Sequence, residues 1–220
     1  HYYLGLIDVK IGAWESFLIF LSGFMLSVTP GKMGEVLKSF LLKERIGVSV
    51  SKTAPVIFAE RVTDMTALII IALAGALSFN YGREFAIGAL IVFTIMITII
   101  SNRGLALPLV HILGRVGFLK RFLPHFIELY ESAHTLLKPK TMVLMTLFSL
   151  ISWFFECYAY YLILNELTVD VSLFRASFYY SFATVAGALS FLPGGLGATD
   201  ALFTLFIQSL NKPEAIAVSS

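Results

Sequence analysis

Long apolar runs organise this chain. A helix that crosses a bilayer needs about 20 mainly apolar residues, with a range of roughly 17 to 25. Five runs have that length and do not alternate as barrel strands would: 13–29, 55–79, 85–101, 141–164 and 172–192. A sixth run, 196–210, is shorter and carries Asp200 near its start. The pattern predicts an all-α polytopic membrane protein with about five spans, followed by a re-entrant half-helix or the start of another span.

The loop charges give this arrangement an orientation. Lys and Arg are concentrated in the connections 31–53 and 102–140, whereas 80–84 and 165–171 contain one basic residue, Arg83. By the positive-inside rule, the two basic connections are expected in the cytoplasm. Segment 102–140 also contains amphipathic pieces, which suit the inner headgroup layer.

Composition supports a membrane class. Charged residues make up 14% of the 220 residues, against about 25% in soluble domains. The mean hydropathy is +0.85. This excludes an ordinary cytosolic enzyme and a disordered chain, and a net charge of +2 gives no sign of nucleic-acid binding. Because the chain begins with His1 and an apolar pattern resumes after Pro213, we expect one transmembrane domain, 1–220, from the centre of a longer protein.

An internal repeat follows two of the apolar runs. Residues 26–34 and 189–197 share the pattern L-S-x-x-P-G-x-x-G. Paired Gly/Pro interruptions in corresponding halves often mark a transporter's binding site, because the next helix begins with free N–H groups that suit a phosphate. The alternative is two ordinary helix stops, for which Pro and Gly are common.

Charged residues inside or beside the apolar runs are candidates for a polar path. Glu60, Arg61 and Asp64 share one broad face of the second predicted span, where they either line such a path or form a salt-bridge cluster that locks helices. Glu156 lies deep in the fourth span. It must pair with a cation such as Arg61, stay protonated or reach water, unless it is a neutral group hydrogen-bonded to backbone or a Tyr.

The connection after the first Pro-Gly interruption reads as a short amphipathic helix, 34–44. Glu35 suits its N-terminus, and Lys32 and Lys38 flank the interruption where they could contact phosphate. The three histidines of segment 102–140 lack metal-ligand spacing, and the sequence contains no recognisable Ser-His-Asp or Cys-His set. We therefore expect neither a metal, a cofactor nor a complete catalytic site.

Three ordered motifs, PGKMGEVLK at 30–38, ERVTD at 60–64 and PGGLG at 193–197, resemble the signature of the lysylphosphatidylglycerol synthase transmembrane family, also called flippase-like membrane proteins. The resemblance implies a multi-pass protein of the cytoplasmic membrane of a bacterium or archaeon. Some members are fused to a soluble aminoacyl-transferase domain, which these 220 residues do not contain. Others stand alone or are attached to glycosyltransferases.

The resemblance implies translocation or binding of an anionic phospholipid or a lipid-linked sugar headgroup. Two rival hypotheses are a membrane-embedded lipid transferase with Glu60 or Asp64 as base, and a non-catalytic scaffold for a synthase or glycosyltransferase partner. This family often has Arg at the position of Lys38 and Glu close to Asp200. The predicted substrate-binding set is Pro30, Gly31, Lys32, Gly34, Glu35, Lys38, Glu60, Arg61, Asp64, Glu156, Pro193, Gly194, Gly195, Gly197 and Asp200.

Overall fold

The computed structural model describes residues 1–25, 29, 33–77, 84, 87–88, 90–91, 94–95, 98, 102–104, 108, 123–167, 169–190 and 192–210. Within these residues the long elements are helices, which agrees with the predicted all-α class. They are α1 (Tyr2–Leu6), α2 (Ala13–Phe24), α3 (Leu37–Ile46), α4 (Val50–Ala76), α5 (Leu123–Leu136), α6 (Pro139–Glu166), α7 (Leu173–Leu189) and α8 (Ala198–Leu210), with a 3₁₀ turn, Met33–Val36, directly before α3.

The chain forms two compact units. Unit one comprises His1–Thr63 and Val92–Met145. Its core takes Leu4 from α1, Leu42 from α3, Val62 from α4 and Leu136 from α5, all buried. α3 ends at Gly47, whose left-handed φ of 73° lets its N–H donate back to the Lys43 carbonyl at 2.8 Å. This stop allows α4 to begin a few residues later.

Unit two comprises Asp64–Ile91 and Thr146–Ser220. Its aromatic core centres on Phe178 and Tyr179 of α7 and Phe206 of α8, with the Tyr179 and Phe206 rings stacked at 4.3 Å. A Cβ on Gly75 of α4 would lie 2.6 Å from the Phe174 carbonyl oxygen, so α4 and α7 approach closely there. Such small-residue contacts are typical of helix packing in membranes.

Two of the predicted spans correspond to long helices. The run 141–164 lies within α6, which has 28 residues and is the one helix in the described parts of the chain that is long and apolar enough to cross a membrane. The run 55–79 corresponds to α4, which has 27 residues and includes Pro55. α4 begins at Val50, ahead of the apolar run that starts at Pro55, because residues 50–54 are also helical.

The other predicted runs give shorter helices or lie elsewhere. The run 172–192 becomes the 17-residue α7, 13–29 contains the 12-residue α2, and 196–210 contains the 13-residue α8. The run 85–101 falls largely outside the described residues. The count of five spans therefore stays a prediction.

Candidate functional site

Four charged side chains of unit one form a cluster, which we call the charge cluster: Glu35, Lys38, Glu60 and Arg61. The Lys38 Nζ donates to Glu35 Oε2 at 3.1 Å and to Glu60 Oε2 at 3.3 Å. The Arg61 Nη2 lies 3.6 Å from the same Glu35 oxygen. The structure thus brings together four of the predicted site residues, from two of the three sequence motifs.

Local geometry explains part of this arrangement. Glu35 belongs to the 3₁₀ turn and Lys38 to the first turn of α3, so a three-residue spacing places them on one face. The Gly34 N–H donates to Thr29 Oγ1 at 2.6 Å, which anchors the turn. Glu60 and Arg61 are consecutive residues of α4, and its packing in unit one brings them to the turn.

The charge cluster contains equal numbers of acidic and basic side chains, and their exposure increases from Glu35 to Arg61. The exposed fractions of the side chains are 7% for Glu35, 13% for Lys38, 28% for Glu60 and 31% for Arg61. Two carboxylates and two cations sum to no net charge, which limits the cost of removing them from water. The two outer residues keep partial access to their surroundings, so an incoming charged group could exchange with them.

Two residues of α2 contact Lys38, and the sequence analysis did not identify them. The Lys38 Nζ lies 5.0 Å from the centre of the Phe20 ring, in cation–π geometry. A Cβ on Gly23 would meet the Lys38 stem, at 2.9 Å from Cγ and 3.1 Å from Cδ. Both contacts depend on how α2 packs against α3, which no local sequence pattern specifies.

Two carboxylates of unit two, Asp64 and Glu156, accept hydrogen bonds from hydroxyl groups. The Ser149 Oγ donates to Asp64 Oδ1 at 2.8 Å, and the Tyr180 hydroxyl donates to Glu156 Oε2 at 2.9 Å. A Tyr partner is what the structural alternative for Glu156 expected, and Glu156 is exposed on α6. The ion pair described for Arg61 joins it to Glu35, so the pairing of Arg61 with Glu156 stays a prediction.

The PGGLG segment forms a tight turn before α8. Gly194, Gly195 and Gly197 have φ values of 61°, 71° and 90°, which L side chains rarely adopt. The Gly195 and Leu196 N–H groups donate to the carbonyls of Leu192 and Pro193. The Gly197 N–H donates to Asp200 Oδ2 at 3.0 Å. Asp200 therefore caps the start of α8.

The same turn packs against α7 at a glycine. The Cα of Gly187 lies 3.3 Å from where a Cβ on Gly195 would be, and that Cβ would also lie 2.7 Å from Thr199 Oγ1. A Cβ on Gly187 would overlap the same Thr199 hydroxyl oxygen. These contacts give the turn glycines a packing role in unit two.

The first copy of the repeat lies mostly outside the described residues. Pro30, Gly31 and Lys32 belong to that part, whereas Gly34 is described and donates to Thr29. The expectations that the two Pro-Gly interruptions share one site, and that Lys32 contacts phosphate, stay predictions. Among the described residues, no group of three or more His, Cys, Asp and Glu side chains is placed to hold a metal ion.

Buried charged side chains, in a chain whose described elements are helices and whose mean hydropathy is +0.85, are typical of the class of α-helical membrane proteins. Residues 1–220 match the family model described as the lysylphosphatidylglycerol synthase TM region. The chain therefore belongs to the lysylphosphatidylglycerol synthase transmembrane-region family, as the three motifs predicted.

Two curated relatives agree with this assignment. A UPF0104 membrane protein of Methanocaldococcus jannaschii is 24% identical over 204 residues, which cover 89% of this chain and 84% of the relative. A UPF0104 membrane protein of Methanothermobacter thermautotrophicus is 25% identical, with 97% of this chain and 71% of the relative covered. No solved structure matches the chain.

Proposed function

We propose that this protein is a flippase-like membrane protein that binds the headgroup of a phospholipid or lipid-linked sugar and passes it across the bilayer. The observation that carries the proposal is the charge cluster. Charged side chains at membrane depth are costly and usually face a bundle interior or a water-filled cavity, where they mark substrate paths. The family assignment supports a membrane role for the chain.

The chemistry of the charge cluster suits partner exchange with a headgroup. A lipid phosphate can replace a carboxylate as the acceptor for Lys38 and Arg61, with charge-assisted hydrogen bonds of similar strength. We expect the phosphate to displace Glu60 and not Glu35. The Glu60 carboxylate lies 3.3 Å from the Lys38 ammonium and is more exposed than that of Glu35. The acyl chains stay in the lipid throughout.

The proposal includes an orientation in the membrane. The basic connections 31–53 and 102–140 face the cytoplasm, and the protein crosses the cytoplasmic membrane several times. Cys157, the single cysteine, is buried, so a Cys157→Ser background suits labelling experiments. Single cysteines in either connection should resist an impermeant thiol reagent in intact cells. Labelling from outside would contradict this orientation.

The decisive experiment measures headgroup accessibility in proteoliposomes. Full-length protein is reconstituted with headgroup-labelled phospholipids or a labelled polyprenyl phosphate sugar, and an impermeant quencher reports the outer leaflet. We expect Lys38→Ala to slow translocation at least about tenfold, which corresponds to about 1.4 kcal/mol of barrier. Lys43→Ala is the matched control, because Lys43 is exposed on the same helix.

The rival hypotheses predict other outcomes in the same vesicles. A lipid transferase would convert the labelled lipid to a new species when a donor is supplied. A scaffold for a synthase or glycosyltransferase would leave the accessible fraction unchanged by any variant of the charge cluster. No translocation of any tested headgroup by the unaltered protein would overturn the proposal.

A further inference from the structure

The Lys38 side chain is held by α2 as well as by its two carboxylates. Its methylene stem lies across Gly23, and its ammonium lies over the Phe20 ring, 5.0 Å from the ring centre. Phe20 and Gly23 are three residues apart on α2 and therefore share a face. Because one side chain makes all of these contacts, residues of α2, the 3₁₀ turn and α4 meet at Lys38.

Gly23 is the next-to-last residue of α2. Glycine loses more backbone freedom on folding than alanine, so its presence in the helix carries a conformational cost. A side chain at position 23 would occupy the space of the Lys38 stem. The absence of a Cβ at Gly23 therefore leaves room for the Lys38 side chain.

The ring of Phe20 adds a directional contact. An ammonium is attracted to the face of an aromatic ring, and the attraction grows when both groups are partly removed from water. The Lys38 side chain is largely buried. A flexible four-carbon stem would otherwise sample several rotamers, so contacts along the stem and at its tip restrict where the charge can be.

We propose that Gly23 and Phe20 form a seat for Lys38, the Lys38 seat, which fixes the ammonium between Glu35 and Glu60. Both are positioning residues that act through Lys38 and need not touch a headgroup. The role in headgroup binding rests on the function proposed above, whereas the seat itself is a property of the fold. A double-mutant cycle in the full-length protein separates the two.

The first measurement is thermal unfolding of four proteins: the unaltered protein, Gly23→Ala, Lys38→Ala and the double variant. We expect Gly23→Ala alone to lower Tm by about 2–4 °C. In the Lys38→Ala background the added methyl enters vacated space and improves helix propensity, so Tm should stay level or rise. Gly5→Ala is the matched control, since nothing lies within 4 Å of a Cβ there.

A folding failure also decides the question. If Gly23→Ala does not fold but the double variant does, the methyl group conflicts with Lys38 and the seat is supported. If Lys38→Ala folds but the double variant does not, or if Gly23→Ala lowers Tm equally in both backgrounds, the seat is wrong. Phe20→Leu provides a second cycle with Lys38→Ala, with Phe17→Leu, at an exposed position of α2, as its control.

The headgroup-accessibility assay then tests the functional part. With the seat supported, Gly23→Ala should slow translocation nearly as much as Lys38→Ala, while Gly5→Ala leaves it unchanged. Strong coupling in Tm together with unchanged translocation in both variants would retain the seat as a structural device and overturn the headgroup role of Lys38. Slowed translocation without coupling in Tm would overturn the seat and leave the proposed function standing.

Discussion

The two units hold their carboxylates by different means. In unit one, Glu35 and Glu60 contact cations within the charge cluster. In unit two, Asp64, Glu156 and Asp200 accept hydrogen bonds from a serine hydroxyl, a tyrosine hydroxyl and a backbone N–H. The ion pairs of unit one balance charge, whereas these hydrogen bonds of unit two come from uncharged donors.

This difference predicts unequal consequences when charge is removed. A buried ion pair that loses one partner leaves an uncompensated charge, which is strongly destabilising. A carboxylate that accepts hydrogen bonds from neutral donors can be replaced by an amide, because the amide oxygen accepts the same hydrogen bond. The charge cluster should therefore be more sensitive to the loss of a charged side chain than the hydrogen bond between Tyr180 and Glu156.

The largest effect is expected from Lys38→Ala. Glu35 and Glu60 would lose their shared cation, and we expect the free energy of unfolding to fall by about 2–3 kcal/mol, below the range for fully buried pairs because the cluster is partly exposed. Chemical denaturation of purified protein measures this. The exposed Lys43→Ala should change stability by less than about 0.5 kcal/mol. Equal effects of the two variants would refute the idea that the cluster stabilises unit one.

The next effect concerns backbone geometry in unit two. Gly197 has a φ of 90° and open space around its Cβ position, so alanine there introduces strain without a clash. We expect a loss of about 1–2 kcal/mol for Gly197→Ala. Gly5→Ala, in an ordinary helical position, should be neutral or slightly stabilising. A Gly197→Ala protein as stable as the control would mean that the turn tolerates a side chain.

Glu156→Gln should change stability by less than about 1 kcal/mol, because the amide oxygen can still accept from the Tyr180 hydroxyl. If Glu156 carries charge for headgroup passage, as the sequence predicts, the variant should insert and fold but lose translocation. Glu166→Gln, exposed at the end of the same helix, is the matched control. Full activity of Glu156→Gln at normal expression would leave Glu156 with a structural role only.

The smallest effect is a pH dependence in unit one. A hydrogen bond from the Ser51 hydroxyl has the largest effect on the pKa of Glu128 and lowers it. A hydrogen bond from Ser49 lowers it further. Because the folded pKa is depressed, the stabilisation is present above the unfolded pKa and disappears as pH falls through the folded value. We expect Ser51→Ala to lower stability by less than about 1 kcal/mol at pH 7, and the gap to the unaltered protein to close in acid.

Thermal unfolding of the two proteins from about pH 3 to about pH 7, a range that includes the ordinary carboxylate pKa, measures this gap. Glu44→Gln, at an exposed position of α3, controls for the general effect of acid. A gap that widens as pH falls would contradict the assignment.

The sequence predicted the charge cluster in part. Glu35 and Lys38 are three residues apart and therefore share a helical face, and Glu60 and Arg61 are adjacent in the sequence, so each pair is close for local reasons. The contact of Lys38 with Glu60 joins residues 22 positions apart and depends on how α3 and α4 pack. Nothing in the local sequence specifies that packing. Gly23 was missed for the same reason, because its role depends on a neighbour from another helix.

The helical class followed from the apolar runs, but the ends of the helices did not. α2 ends at Phe24, within the run 13–29, because hydropathy measures compatibility with lipid and does not define where backbone hydrogen bonding stops. The PGGLG turn was recognised from its residue types. Its contact with Gly187 was not, because that approach depends on how closely two helices pack.

The charge cluster has no net charge, and this affects how the protein would respond to membrane potential. Moving one elementary charge through the full potential involves about 2.3 kcal/mol per 100 mV. Glu35, Lys38, Glu60 and Arg61 together would contribute nothing to this term if they moved as a unit. Any voltage dependence of lipid movement through this cluster would then report the charge of the lipid headgroup itself.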